Sequence, residues 1–147
     1  MPVRGAWGSA RKIDLISQIP LFAAWNRREL AQVAALTVPA EQKKGSVLTR
    51  QGADGGLAFI IATGRAEVTR NGKRLARLGP GDVVGELSLI DGQPRSATVT
   101  AVTDLEVLEL DRRDLMKLMR KVPSMVRKLL ESLSQRLRDV NALPTSA

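Results

Sequence analysis

The chain has 147 residues, with no Cys, His or Tyr, and 23 Lys and Arg against 15 Asp and Glu give a net charge of +8. That length suits one domain with a real core. The missing residue types exclude disulfide scaffolds, zinc fingers, iron–sulfur clusters, His-ligated haem, and Cys–His or Ser–His–Asp catalysis. Only carboxylates, Lys and hydroxyls remain for acid–base work, so catalysis is disfavoured, and no catalytic residue and no metal site are assigned.

In chain order, residues 11–17 read as a short helix halted by Pro20. Asn26 is a good N-cap for a second helix, with Glu29 three residues on as in a capping box. Leu30, Val33, Ala34 and Leu36 form its apolar stripe, and Pro39 closes it.

From Gly45 to Leu110 the period changes to two. Strands are expected at 46–49, 59–61, 66–69, 74–78, 97–102 and 105–110. Asn71-Gly72 marks a tight hairpin between the third and fourth of these. Gly79-Pro80-Gly81-Asp82 is a turn. Trp7, Phe22, Trp25 and Phe59 are expected in or near the core. Helix returns at Asp111, its candidate cap, with Leu115, Leu118 and Met119 facing inward. Pro123 breaks it, and Ser124 sits close to the start of the last helix. Along that helix Val126, Leu130, Leu133, Leu137 and Val140 step by 4, 3, 4, 3. The seam either joins two copies of the chain or packs on the strands.

The longest strongly apolar run, Leu57 to Ala62, is far short of a membrane span, and no signal core precedes Arg11-Lys12, so a cytoplasmic location is expected. Residues 111–147 hold nine basic and four acidic side chains. This tail has no base-stacking aromatic, and a solvated face or dimer rim is favoured over DNA or RNA binding.

One segment carries chemistry. Gly85 allows close approach of backbone to a ligand. Glu86 to Ile90 can form one helical turn whose free N–H groups attract an anion. Arg95 can meet a phosphate with two parallel bonds, Glu86 can accept from a sugar hydroxyl, and Ser96 adds a hydroxyl and an N–H. From the residues alone, an anion pocket and a hairpin connection bearing a surface Glu–Arg pair both stay open.

The run Gly85-Glu86-Leu87 … Pro94-Arg95-Ser96-Ala97 resembles the phosphate-binding cassette of the cyclic nucleotide-binding domain family. That family includes the bacterial catabolite activator protein and the regulatory subunits of cyclic-AMP-dependent protein kinase. Ile19-Pro20-Leu21-Phe22, Lys44 to Leu48 with Gln51-Gly52, Phe59 to Ile61 with Thr63-Gly64, Leu78 to Asp82 and Val122-Pro123 resemble further family landmarks in order. The resemblance covers residues 13–141.

It implies an α+β, mostly β fold: an eight-stranded β-roll of the jelly-roll type, spanning about 40–110 within a domain of 11–141. N-terminal helices and two C-terminal helices, about 111–122 and 124–141, flank the roll, with flexible ends at 1–10 and 142–147. It also implies backbone or short side-chain contacts from Gly85, Leu87 and Ser88 around phosphate and ribose. Glu86 would accept from the ribose 2′-hydroxyl. Arg95 would pair with the cyclic phosphate, helped by Ser96 and the Ala97 N–H. Val68, Leu75 and Val84 would touch ribose and base. Asn141 lies near where the activator's dimer helix reaches adenine, though Asn141 and Pro144 also read as plain helix terminators. Ser88 departs from the Ala or Gly of many relatives. Ser96, where Thr often marks cyclic GMP, favours cyclic AMP as ligand, with cyclic GMP the alternative.

The expectation is therefore a stand-alone regulatory module of the Crp/Fnr-like kind, without a DNA-binding domain. Its output would be an effector protein or a homodimer through Val126, Leu130, Leu133 and Leu137. A ligand-free dimerising scaffold of the same fold is the second reading, and a nucleic-acid binder through the basic tail is the third.

Overall fold

Two capping residues marked by the sequence open the helices that frame the molecule, a computed structural model that describes residues 7–141. Asn26 starts α2 (Arg27–Ala34), with its side chain accepting from the Glu29 N–H and Glu29 accepting in return from the Asn26 N–H, a complete capping box. Asp111 starts α4 (Arg112–Lys121) by accepting from the Arg113 N–H at 2.7 Å. α1 (Ser9–Ile16) begins two residues before the expected 11, inside the stretch expected to be a flexible end. The expectations of flexible ends at 1–6 and 142–147 lie outside the described residues. A 3-10 turn at Pro20–Phe22 follows α1.

Eight strands build two four-stranded antiparallel sheets. They are β1 (Val38–Gln42), β2 (Val47–Thr49), β3 (Leu57–Thr63), β4 (Ala66–Arg70), β5 (Lys73–Leu78), β6 (Val83–Val84), β7 (Thr98–Ala101) and β8 (Leu105–Asp111). One sheet runs β1-β8-β3-β6, the other β2-β7-β4-β5. The mostly β roll with flanking helices is thus as expected, without a closed barrel. The β4–β5 hairpin turns at Asn71 and Gly72, both at positive φ (52° and 78°), as a tight primed turn requires.

Two strands escaped the sequence. β1 carries Pro39, which was expected only to close α2. It is an edge strand pairing with β8 alone, a place where a residue without an N–H costs little. β6 has two residues, too few to show a period.

The core has two parts, which β3 divides. Phe59 and Ile61 face the roll interior with Val84, Val99 and Val107, whereas Ala58 and Ile60 face the helices with Phe22, Trp25, Leu108 and Leu115. Phe22 and Trp25 stack with centroids 4.3 Å apart, and Trp7 packs against the same cluster.

α5 (Pro123–Val140), which begins at Pro123 rather than Ser124, is fastened at its start. Met125 and Leu129 are buried, and the Trp25 indole N–H donates to the Met125 carbonyl at 2.9 Å. Glu29, fully packed at 4 % exposure, takes the Ser124 hydroxyl at 2.6 Å and the Lys128 ammonium at 2.7 Å. Burial alone would raise this carboxyl. The hydrogen bonds from Lys128, Ser124 and the Asn26 N–H, with the Lys128 charge, outweigh it and bring Glu29 from 4.5 to about 2.

A carboxylate held below its unfolded value stabilises the fold above about pH 4.5 and loses that contribution as pH falls toward 2. The contribution has a ceiling of about 3 kcal/mol. Urea denaturation between pH 5 and pH 2.5 should show this loss. In Glu29→Ala the same interval should flatten, from a baseline about 2–4 kcal/mol lower at neutral pH.

Candidate functional site

The segment after β6 leaves the sheet through Gly85 at φ 85°. It then forms α3 (Ser88–Asp91), which ends at Gly92 in the left-handed conformation. A Cβ on Gly85 would run into the Arg95 guanidinium, so this glycine answers both a conformational demand and a close approach. Gly55 does a similar service from the loop after β2: a Cβ there would strike the Gln93 carbonyl and the Ser88 side chain.

A pocket of about 470 Å³ opens between this segment and the roll. Every cassette residue singled out in the sequence lines it: Gly85, Glu86, Leu87, Ser88, Arg95, Ser96 and Ala97. Val68 and Val84 line its apolar side with Leu78 and Val99. Leu75 and Asn141 do not line it. Leu75 sits at the bulge where β5 slips register against β4 and is 51 % exposed. Asn141 caps the far end of α5.

Arg95 dominates the electrostatics. Its residue is 7 % exposed, and Nη2 donates to the Leu57 carbonyl. Nε and Nη1 are buried with no hydrogen-bond partner, and no carboxylate pairs with the group among the described residues. Burial pushes the guanidinium below its ordinary value. The backbone around it is fixed from both sides: Arg95 N–H donates to the Ala53 carbonyl and Gly52 N–H donates to the Arg95 carbonyl, each at 2.8 Å. A desolvated cation with two unused donors in a pocket is built to take an anion.

Glu86 is already engaged. Its Oε2 accepts from the Leu21 N–H at 2.9 Å and lies 3.2 Å from Arg136 Nη1 of α5. Arg136 lines the pocket too. Sequence reasoning had placed it only in the basic tail, because no local pattern announces a contact across 50 residues. It also missed Arg70, whose Nε donates to the Ser96 carbonyl at 2.9 Å, and the Gln51–Asn71 amide pair at 3.1 and 3.0 Å. The Arg70 bond ties the β4–β5 hairpin to the cassette, and the Gln51–Asn71 pair ties its turn to the loop after β2. Ser88 spends its hydroxyl on the Gln93 carbonyl at 3.3 Å.

Residues 40–122 match the family described as the cyclic nucleotide-binding domain. The chain belongs to that family. A Pycsar effector protein of Xanthomonas perforans is 32 % identical over 145 residues, covering 97 % of this chain and 47 % of the relative. A cyclic AMP receptor protein of Thermus thermophilus is 36 % identical over 103 residues, 67 % of this chain and 48 % of its own length. The chain thus spans about half the length of these curated relatives. Among solved structures, the N-terminal domain of a transcriptional regulator from Streptomyces coelicolor A3(2) superposes with a TM-score of 0.81 at 31 % identity, covering 91 % of this chain and 99 % of that domain. The jelly-roll fold and the family expected from the cassette are both established. Among the described residues no helix is long and apolar enough to cross a membrane.

The Arg136–Glu86 pair is the tie between the outer half of α5 and the cassette. Arg136→Ala should speed amide hydrogen exchange over residues 133–141. The pair is partly exposed and so worth about 1 kcal/mol or less, and the melting temperature should fall by no more than about 2–4 °C.

Proposed function

We propose that this domain binds a cyclic nucleotide in the Arg95 pocket and signals through α5. The observation that carries the reading is the buried guanidinium of Arg95, which among the described residues meets no carboxylate and leaves Nε and Nη1 unpartnered in a pocket of ligand size. The cyclic phosphate, a single negative charge, pairs with Arg95, with Ser96 and the Ala97 N–H beside it. The ribose 2′-hydroxyl donates to Glu86, whose Oε1 bears none of the bonds to Leu21 or Arg136. Val68, Val84 and Leu78 supply the apolar wall for ribose and base. Cyclic AMP is the favoured ligand because position 96 is Ser, with cyclic GMP the competitor. The domain acts as a regulatory binding module, not as an enzyme.

Glu86 is the switch point. The sugar hydroxyl and Arg136 approach the same carboxylate, so ligand binding changes what holds the outer half of α5. Differential contact with two positions of one helix is what a two-state signal requires. The scaffold reading has the same fold but gives no role to the bare donors of Arg95.

Calorimetry with cyclic AMP, cyclic GMP and 5′-AMP tests this. A cyclic nucleotide should bind and plain AMP should bind far more weakly. Arg95→Ala should cost about 2–4 kcal/mol, from loss of a charge-assisted bidentate contact. Unchanged affinity in that variant would remove Arg95 from the site.

A further inference from the structure

A second concavity, about 230 Å³, lies between α4 and α5 on the outside of the molecule. Its walls are almost wholly apolar: Ile90 from the cassette helix α3, Met116 from α4, and Val126, Leu130 and Leu133 from α5. The apolar surface continues along α5 beyond the groove, from Leu130 at 61 % exposure to Leu137 at 63 %. Large apolar side chains this open, in line at helical spacing, are a surface that something covers.

The rim is cationic. Arg120 lines the groove, and Arg113 and Lys117 stand beside Met116 on α4. Arg127 and Arg138 flank the α5 stripe. Arg127 is partly offset by Glu131 at 3.2 Å, and Arg113 by its neighbour Asp111 at 3.7 Å. Lys117, Arg120 and Arg138 form no ion pair among the described residues. Of the nine cations across residues 112–140, Lys128 and Arg136 pair with Glu29 and Glu86 away from this face, so its uncompensated charges among the described residues are Lys117, Arg120 and Arg138. A second copy of this face would bring the same excess, and like charges would meet on both sides of the seam.

We infer that the α4–α5 groove docks an acidic amphipathic helix of a different polypeptide, its apolar residues at i, i+3/i+4 and i+7 entering between Met116 and Leu130 and its carboxylates meeting Lys117, Arg120 and Arg138. The groove volume accommodates two or three aliphatic side chains, the usual anchors of a helix in a groove. Because Ile90 belongs to α3, the docked helix would touch the cassette directly. The inference stands on shape and charge and does not rest on the identity of the ligand.

Two peptides of about 18 residues test it, a length of about five turns. Both carry the same Leu stripe; one bears Glu on its flanks and the other Lys. Fluorescence anisotropy with the full chain should give at least tenfold tighter binding of the Glu peptide at low ionic strength, with the gap narrowing as salt rises. Leu130→Asp, at an exposed position that should leave the circular dichroism spectrum unchanged, should weaken it at least tenfold. Lys117→Glu combined with Arg120→Glu should invert the preference between the peptides. Equal binding of the two peptides, or none by either at about 1 mM (a few kcal/mol of affinity), would overturn the inference. So would a homodimer in sedimentation velocity that Leu130→Asp dissociates.

Discussion

The structure is organised around the Arg95 guanidinium, which meets no counterion among the described residues. Removing a cation from water costs several kcal/mol unless partners replace the lost solvation. Among the described residues the Arg95 head recovers one carbonyl, that of Leu57. The surroundings hold it in place nonetheless. The Ala53 and Gly52 backbone bonds fix its main chain, Gly85 clears space for its head, and Arg70 braces the next residue. Stability is spent at one point so that a site exists before its ligand arrives. Such preorganisation lowers the ordering cost of binding.

α5 connects that site to an outer surface of the domain. Its first turns are locked by Met125, Leu129, the Trp25 indole and the buried Glu29 carboxylate. Its outer half leans on the cassette through Arg136 and Glu86 and exposes Leu137 and Val140. One helix therefore has a fixed root and a lightly held tip. The tip borders the pocket through Arg136 on one side, and the apolar groove lies on the other.

Much of this was legible in the residue order. Local chemistry marked the caps at Asn26 and Asp111, the Asn71-Gly72 turn and the break at Pro123, because each depends on neighbours a few residues apart, whereas the cassette from Gly85 to Ala97 was legible through its resemblance to the family. The unread parts depend on tertiary placement. Pro39 ends a helix in any local reading, and only its position at a sheet edge reveals a strand. Glu86 looked free for a sugar because Leu21 and Arg136 are 65 and 50 residues away. The resemblance implied that Leu75 touches the ligand, but a register slip at the β4–β5 bulge leaves it exposed and away from the pocket. Asn141 ended a helix whose last turn does not reach the pocket.

The central claim is that the bare donors of Arg95 receive the anionic group of the ligand. The most direct measurement follows the Arg95 Nε–H signal by ¹⁵N NMR, assigned by its absence in Arg95→Lys, while cyclic AMP is added. The account predicts a large shift and slowed exchange with water, saturating at one ligand per chain. Cyclic AMP that stabilises the protein while this signal stays still would contradict it.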